Sequence, residues 1–315
     1  MAGSVLCDVE LLLDCQAAIG ESPTWLAATR AIYWIDVKEP ALHCLSAAGA
    51  HSRWRFDADI GAFALLDGEG AAVVALRNGL FHLDFATGRT VLLAAPPFDP
   101  TQFRFNEGIC DGFGRFWTGV MFDPLSGVAA TKGKAAMHCF TFAHGLAAAR
   151  DRSDLHNGFA WNIDGTAFYW SHSHTGAVFR APYDVMSGTV GDPQPFVDIS
   201  PNVGVPDGAA MDEEGCYWCA VHGGGALHRY DASGRLVLRV ALPVSQPTMC
   251  AFVGRDLGEM VVTSARQKLT PEQLAREPHA GGLFRLRPGA RGIPRPCTLQ
   301  RSWAQEPPRG RVGSD

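Results

Sequence analysis

The chain has 315 residues, 47% hydrophobic and 19% charged, with a formal net charge of −5. That is too apolar and too weakly charged for disorder, and no apolar run approaches the about 18 residues a membrane span needs. A mildly acidic chain with no basic cluster is a poor partner for nucleic acid, so neither nucleic acid nor membrane is expected as a partner.

At the N-terminus, Leu11, Leu12 and Leu13 are cut off by Asp14, and the first basic residue is Arg30, so the segment does not read as a secretory signal. The nine cysteines are scattered and odd in number. They read as reduced thiols, and the expected location is cytoplasmic. Cys216 and Cys219 have C-x-x-C spacing, but positions three apart on a strand face opposite sides, and no second pair completes a zinc site.

Thirty-five glycines without a collagen period imply many tight turns between short strands. In chain order, a short apolar-aromatic strand recurs at 31–36, 71–75, 115–119, 168–171, 216–220 and 259–263. Its central residues, Trp34, Val74, Trp117, Trp170, Trp218 and Val262, are spaced by 40, 43, 53, 48 and 44 residues. Several of these strands follow an Asp/Gly turn, as at Asp111-Gly112 and Asp164-Gly165. A second strand ending in a polar turn runs in step, at 42–46, 80–84, 137–141, 178–182, 227–231 and 283–287. Two interleaved markers, each present six times, predict an all-β fold: a six-bladed β-propeller of four-stranded antiparallel blades around a central channel. Thr270-Pro271-Glu272-Gln273 is a capping box with proline at the first helical position, which predicts one short helix at about 270–276. Residues 1–302 are read as one propeller domain, with 303–315 a Pro/Gly/Arg-rich tail expected to fray.

Repeat phase selects the candidate site. Counting back 11–14 residues from each central marker reaches Glu21, Ile60, Asn106, Asn157, Asp207 and Thr248, expected just before each innermost strand and at one end of the channel. Any single Asn-Gly or Asp-Gly here could merely serve a turn. Four oxygen-bearing side chains in phase point instead to a hard or borderline divalent cation such as Ca²⁺, Mg²⁺ or Mn²⁺. Two carboxylates would also balance the charge of a 2+ ion and lower the cost of burying it. The residues after each marker strand, Asp36, Arg77, Met121, His172, His222 and Arg266, are expected to ring the same mouth. His172 and His174 would share a face on a strand and so could ligate a metal. Without a third nitrogen ligand in phase, a hydrogen-bonded rim histidine is the preferred reading. His222, followed by Gly223, Gly224 and Gly225 where a ligand can approach closely, is a candidate substrate contact.

Several of these segments carry a family likeness: Gly20-Glu21-Ser22-Pro23, Arg104-Phe105-Asn106-Glu107-Gly108, Asn157-Gly158-Phe159-Ala160-Trp161, Pro206-Asp207-Gly208 and Gly281-Gly282-Leu283-Phe284. Through them the sequence resembles the SMP-30/gluconolactonase/luciferin-regenerating-enzyme family over about residues 10–290. The resemblance implies a six-bladed propeller with one divalent cation at the channel mouth and hydrolysis of sugar lactones. It implies Glu21, Asn157 and Asp207 as metal ligands, Asp207 also as general base, and Arg104 and Asn106 as contacts to substrate or to a water on the metal. Glu107, between them, is grouped with the substrate side of the site in a supporting or structural role. Two positions depart from the family pattern. His172 stands where an aspartate is familiar, and Asp123 is only adjacent to the place of an acidic residue after the third marker strand.

The expected reaction is lactone opening, with the cation (Ca²⁺, Zn²⁺, Mn²⁺, Mg²⁺ or Fe²⁺) polarising the carbonyl and Asp207 moving the proton. The expected partner is a small sugar lactone, and the expected assembly a monomer or small homo-oligomer. Alternative readings are another metal-dependent ester or phosphotriester hydrolase, or a non-catalytic calcium-binding regulatory propeller.

Overall fold

The computed structural model describes residues 3–4, 8–66, 68, 70–131, 133–294 and 298–299. Six small antiparallel sheets form the predicted propeller, each running outward from an innermost strand. The innermost strands of blades 1 to 6 are Gly20–Leu26, Ile60–Leu66, Phe103–Cys110, His156–Trp161, Val205–Met211 and Pro247–Val253. The first marker series forms the second strand of every blade and the second series the third. Blade 6 takes its outermost strand, Glu10–Leu13, from the other end of the chain, and antiparallel pairing with Leu283–Leu286 closes the ring.

The marker strands are nearly continuous apolar runs because both faces of each blade are covered. On Ala31–Asp36, Tyr33 and Ile35 pack toward blade 2 with Ile60, Phe63 and Val74. Ile32 and Trp34, on the other face, pack toward blade 6 with Val253, Val261 and Leu283. One such apolar cluster fills each of the six interfaces between neighbouring blades. The fully buried tryptophans Trp34, Trp161, Trp170 and Trp218 all lie in them.

The helix forms at Pro271–Arg276 with its capping box complete: the Thr270 hydroxyl accepts from the Gln273 amide at 3.3 Å, and the Gln273 side chain accepts from the Thr270 amide at 2.8 Å. Cys216 and Cys219 are buried free thiols, as are or partly are the other described cysteines. The stretch 303–315 lies outside the described residues.

Inter-blade packing is tight enough to test at Gly61, where a Cβ would stand 1.9 Å from the Phe105 carbonyl oxygen of blade 3. Gly61→Ala should therefore destabilise by at least the about 1–3 kcal/mol typical of overpacking, seen as a lower denaturant midpoint. A second expectation concerns acid. Burial lowers His43, His138 and His228, all on third strands, to about 4. Neutral when folded, they take up protons in the unfolded chain below about pH 6.5, so stability complete at pH 7 should fall as pH drops from 6.5 toward 4. Thermal midpoints across that window should decline, and more shallowly in His138→Gln.

Candidate active site at the channel mouth

Each innermost strand is bulged at one phase. The register shifts fall between Glu21 and Thr24, Ile60 and Ala62, Asn106 and Gly108, Asn157 and Ala160, Pro206 and Ala209, and Pro247 and Met249. The phase-selected residues thus lie inside the innermost strands, at or beside a bulge, and not before them as expected. A bulge adds a residue without ending the strand and redirects the side chains beside it. Positive φ marks three of these bulges, at Ser22 (54°), Glu107 (44°) and Gly158 (69°). Gly158 must be glycine on a second count, since a Cβ would meet the Tyr217 hydroxyl at 2.3 Å.

Glu21, Asn157 and Asp207 are 6%, 4% and 8% exposed. Burial raises Glu21 to about 7, against the Ser22 amide and the charge of Arg104. Burial, then the charges of Glu21 and Glu107, push Asp207 well above the usual carboxylate range, again opposed by Arg104. The three carboxylates therefore sense one another across the channel. Arg104, the cation that acts on both Glu21 and Asp207, is committed elsewhere. Its Nε donates to Asp123 Oδ2 at 3.1 Å, and its Nη1 to the Phe105 carbonyl at 3.0 Å and to Asn106 Oδ1 at 2.7 Å.

The polar chain continues from blade 3 into blade 4. Asn106 Nδ2 donates to Asn157 Oδ1 at 2.7 Å and to the His156 carbonyl at 3.0 Å, and Asn157 Nδ2 donates to Ser173 Oγ at 2.9 Å. Glu107 faces inward between the same two blades, and its carboxylate accepts the amides of Gly158 and Phe159, both at 2.6 Å. Burial and the nearby Glu21 raise it to about 8, against the pull of those amides. Tyr217 donates to the Gly158 carbonyl at 2.8 Å, so both sides of that peptide are held. His222 closes the second strand of blade 5, opposite Val205 of the innermost strand, and burial lowers its pKa against a hydrogen bond with Gln246.

Two rim clusters were not legible as clusters from the sequence. Lys38, Asp59, Arg77 and Asp123 interlock: Lys38 Nζ reaches Asp59 at 2.9 Å and Asp123 at 2.6 Å, and Arg77 Nη2 reaches them at 2.7 and 2.8 Å. Repeat phase had brought Arg77 to the mouth, but its partners lie in loops that no repeat marks. The second cluster joins His172 Nε2 to Asp151 Oδ2 at 2.8 Å, with His156 Nε2 on the same oxygen at 3.0 Å. His172 and His174 do not share a strand face, because the strand ends at His172 and Ser173–Thr175 forms a 3₁₀ turn. His174 instead meets Asp154 at 3.0 Å. Deeper in the channel, a chamber of about 560 Å³ lined by Trp25, Phe63, Phe159, Met211, Met249 and Phe252 forms an apolar floor, and none of the candidate site side chains lines it.

Fold and mouth together define a six-bladed propeller whose channel is polar and oxygen-rich at one end and apolar behind it. Residues 19–266 match the family model described as the SMP-30/gluconolactonase/LRE-like region, and the chain belongs to that family. Regucalcin of Sus scrofa is 29% identical over 289 residues, 91% of this chain and 96% of that protein. A 6-deoxy-6-sulfogluconolactonase of Pseudomonas putida is 32% identical over 282 residues, 89% and 94% of the two chains. The solved structure of a calcium-binding protein, regucalcin, from Agrobacterium tumefaciens superposes with a TM-score of 0.86 at 27% identity, covering 95% of this chain and 99% of that one. Among the described residues, no helix is long and apolar enough to cross a membrane.

The Glu107 clamp gives a direct test. Hydrogen bonds to a charged group contribute about 1.5–3 kcal/mol each, and Glu107→Gln turns one acceptor into a donor facing an amide. Its unfolding free energy should fall by about that amount in denaturant titration; an unchanged midpoint would show that the clamp carries no stability.

Proposed function

We propose that this protein is a divalent-metal-dependent hydrolase that opens sugar lactones. The observation that carries the reading is the pair of buried carboxylates, Glu21 and Asp207, which raise each other's proton affinity while Arg104 is committed to other partners. With the Asn157 carboxamide, they make an all-oxygen donor set whose two charges match a hard or borderline 2+ ion. Glu21, Asn157 and Asp207 would hold that ion, which when bound supplies a Lewis acid for the lactone carbonyl. The names of the relatives support the substrate class, and that of the Agrobacterium structure supports calcium among the candidate ions.

The chain's own residues supply the rest. Asp207 takes a proton from the water that attacks the carbonyl and returns it to the ring oxygen as the C–O bond breaks. The strong proton affinity of its buried carboxylate suits that exchange. Arg104 Nη2, whose partner is the Met121 thioether at 2.9 Å, retains capacity to donate to a sugar hydroxyl. Asn106 already uses both ends of its carboxamide, so it orients Asn157 and Arg104. Glu107 holds the Gly158 peptide beside Asn157 and so acts on substrate only through that strand. His222 offers an imidazole on the opposite arc of the rim. Donors left unpaired by a wrong substrate penalise it, which gives the polar mouth its selectivity.

The test is a pH-indicator assay over a panel of aldonolactones that includes gluconolactone and 6-deoxy-6-sulfogluconolactone. Turnover should vanish on chelation and return on addition of a divalent cation. Asp207→Asn should lose on the order of 10²–10⁴ in rate. Absence of metal-dependent opening of any lactone would falsify the reading, and near-native turnover in Asp207→Asn would remove the base assignment alone.

A further inference from the structure

We propose a second cation site at the junction of blades 3 and 4, built from Asp151, His156 and His172 and suited to Zn²⁺, Co²⁺ or a similar borderline ion. Asp151 lies on the outermost strand of blade 3, Gly145–Ser153. His156 opens the innermost strand of blade 4, and His172, its register partner, ends the second. One nitrogen from each imidazole and one Asp151 oxygen lie within 4.8 Å of one another.

The geometry is close to that of a ligated ion. Both Nε2 atoms aim at the same Asp151 oxygen, at 3.0 and 2.8 Å, and the rings stand nearly perpendicular at 80°. Donor atoms around a tetrahedral ion with bonds of about 2.0–2.1 Å lie about 3.3–3.4 Å apart, so the cluster needs to open by only a few tenths of an ångström. To present its Nε2 lone pair, His156 must carry its proton on Nδ1, where its contact with the Val120 amide is a long 3.4 Å. The hydrogen bond given up is therefore weak. His156 is fully buried, whereas the Asp151 and His172 side chains are 17% and 14% exposed, which leaves a solvent-side entry and an open coordination position.

The donor chemistry separates this site from the channel mouth. Two imidazoles and one carboxylate suit borderline transition ions, whereas Ca²⁺ and Mg²⁺ take oxygen ligands, six to eight of them for Ca²⁺. Binding would fasten the outer edge of blade 3 to the strand that places Asn157. The proposal does not depend on the lactonase reading.

The probe is Co²⁺ added to the metal-free full-length chain, followed by equilibrium dialysis and visible ligand-field absorption. Two ions per chain are expected, one with nitrogen-donor bands that persist under excess Ca²⁺. His172→Ala and Asp151→Asn should each lose those bands and one ion, while Glu21→Gln should lose the other ion and keep the bands. Asp151→Asn preserves side-chain shape and His172 is at the rim, and circular dichroism checks that each variant is folded. The proposal is overturned if the wild-type chain shows no nitrogen-donor bands, if excess Ca²⁺ abolishes them, or if they survive in both folded rim variants.

Discussion

Two buried carboxylates that repel each other, with the nearby guanidinium committed elsewhere, are the constraint around which this channel mouth is arranged. Placing Glu21 and Asp207 together costs desolvation and mutual repulsion, and burial raises both. A protein could relieve that cost by turning Arg104 onto them. Here the guanidinium binds Asp123 and the Asn106 carboxamide, so its field reaches the carboxylates while its hydrogen bonds do not. The result is an acidic pocket poised for a cation brought from solution and not for an internal ion pair. The polar chain from Arg104 through Asn106 to Asn157 then holds the neutral donor of the set in one orientation.

The backbone makes that arrangement possible through repetition. Six innermost strands enter the channel in parallel phase, and all six are bulged at corresponding positions. A regular strand would alternate its side chains between the two adjoining blades. The extra residue redirects one side chain toward the axis while the rest of the strand continues to fill the interfaces. Glu107 shows how that irregularity is kept: it sits at positive φ itself and uses its carboxylate to hold the next blade's bulge through the Gly158 and Phe159 amides. Strain on one strand thus stabilises the site residue of its neighbour.

What the sequence disclosed and what it hid follow from the same repetition. Marker strands such as 31–36 and 216–220 were legible because burial on both faces writes a near-continuous apolar run at a regular spacing. The phase of Glu21, Asn106, Asn157 and Asp207 was legible because equivalent positions in a propeller converge. Their exact backbone setting was not, since a bulge has no fixed spelling and Ser22 or Glu107 at positive φ carries no glycine to announce it. The ring closure was equally hidden: Glu10–Leu13 pairs with a strand about 270 residues away, and nothing local distinguishes it from a leading loop. Lys38, Asp59 and Asp123 sit in connections that vary from blade to blade, so repeat phase could not relate them.

Asp151 is the sharpest case, because its place on an outermost strand gave no reason to associate it with the channel end. The 3₁₀ turn at Ser173–Thr175 separates His174 from His172, and the register of blade 4 sets His156 opposite His172 instead. The nitrogen partner that His172 lacked in the linear pattern therefore comes from the innermost strand, beside Asn157 but on its opposite face. Alternation along that one strand sends an oxygen donor toward the axis and an imidazole toward the blade 3 junction. Two kinds of donor set can thus share a strand without sharing ligands, and a change at one is transmitted to the other only through the backbone between His156 and Asn157.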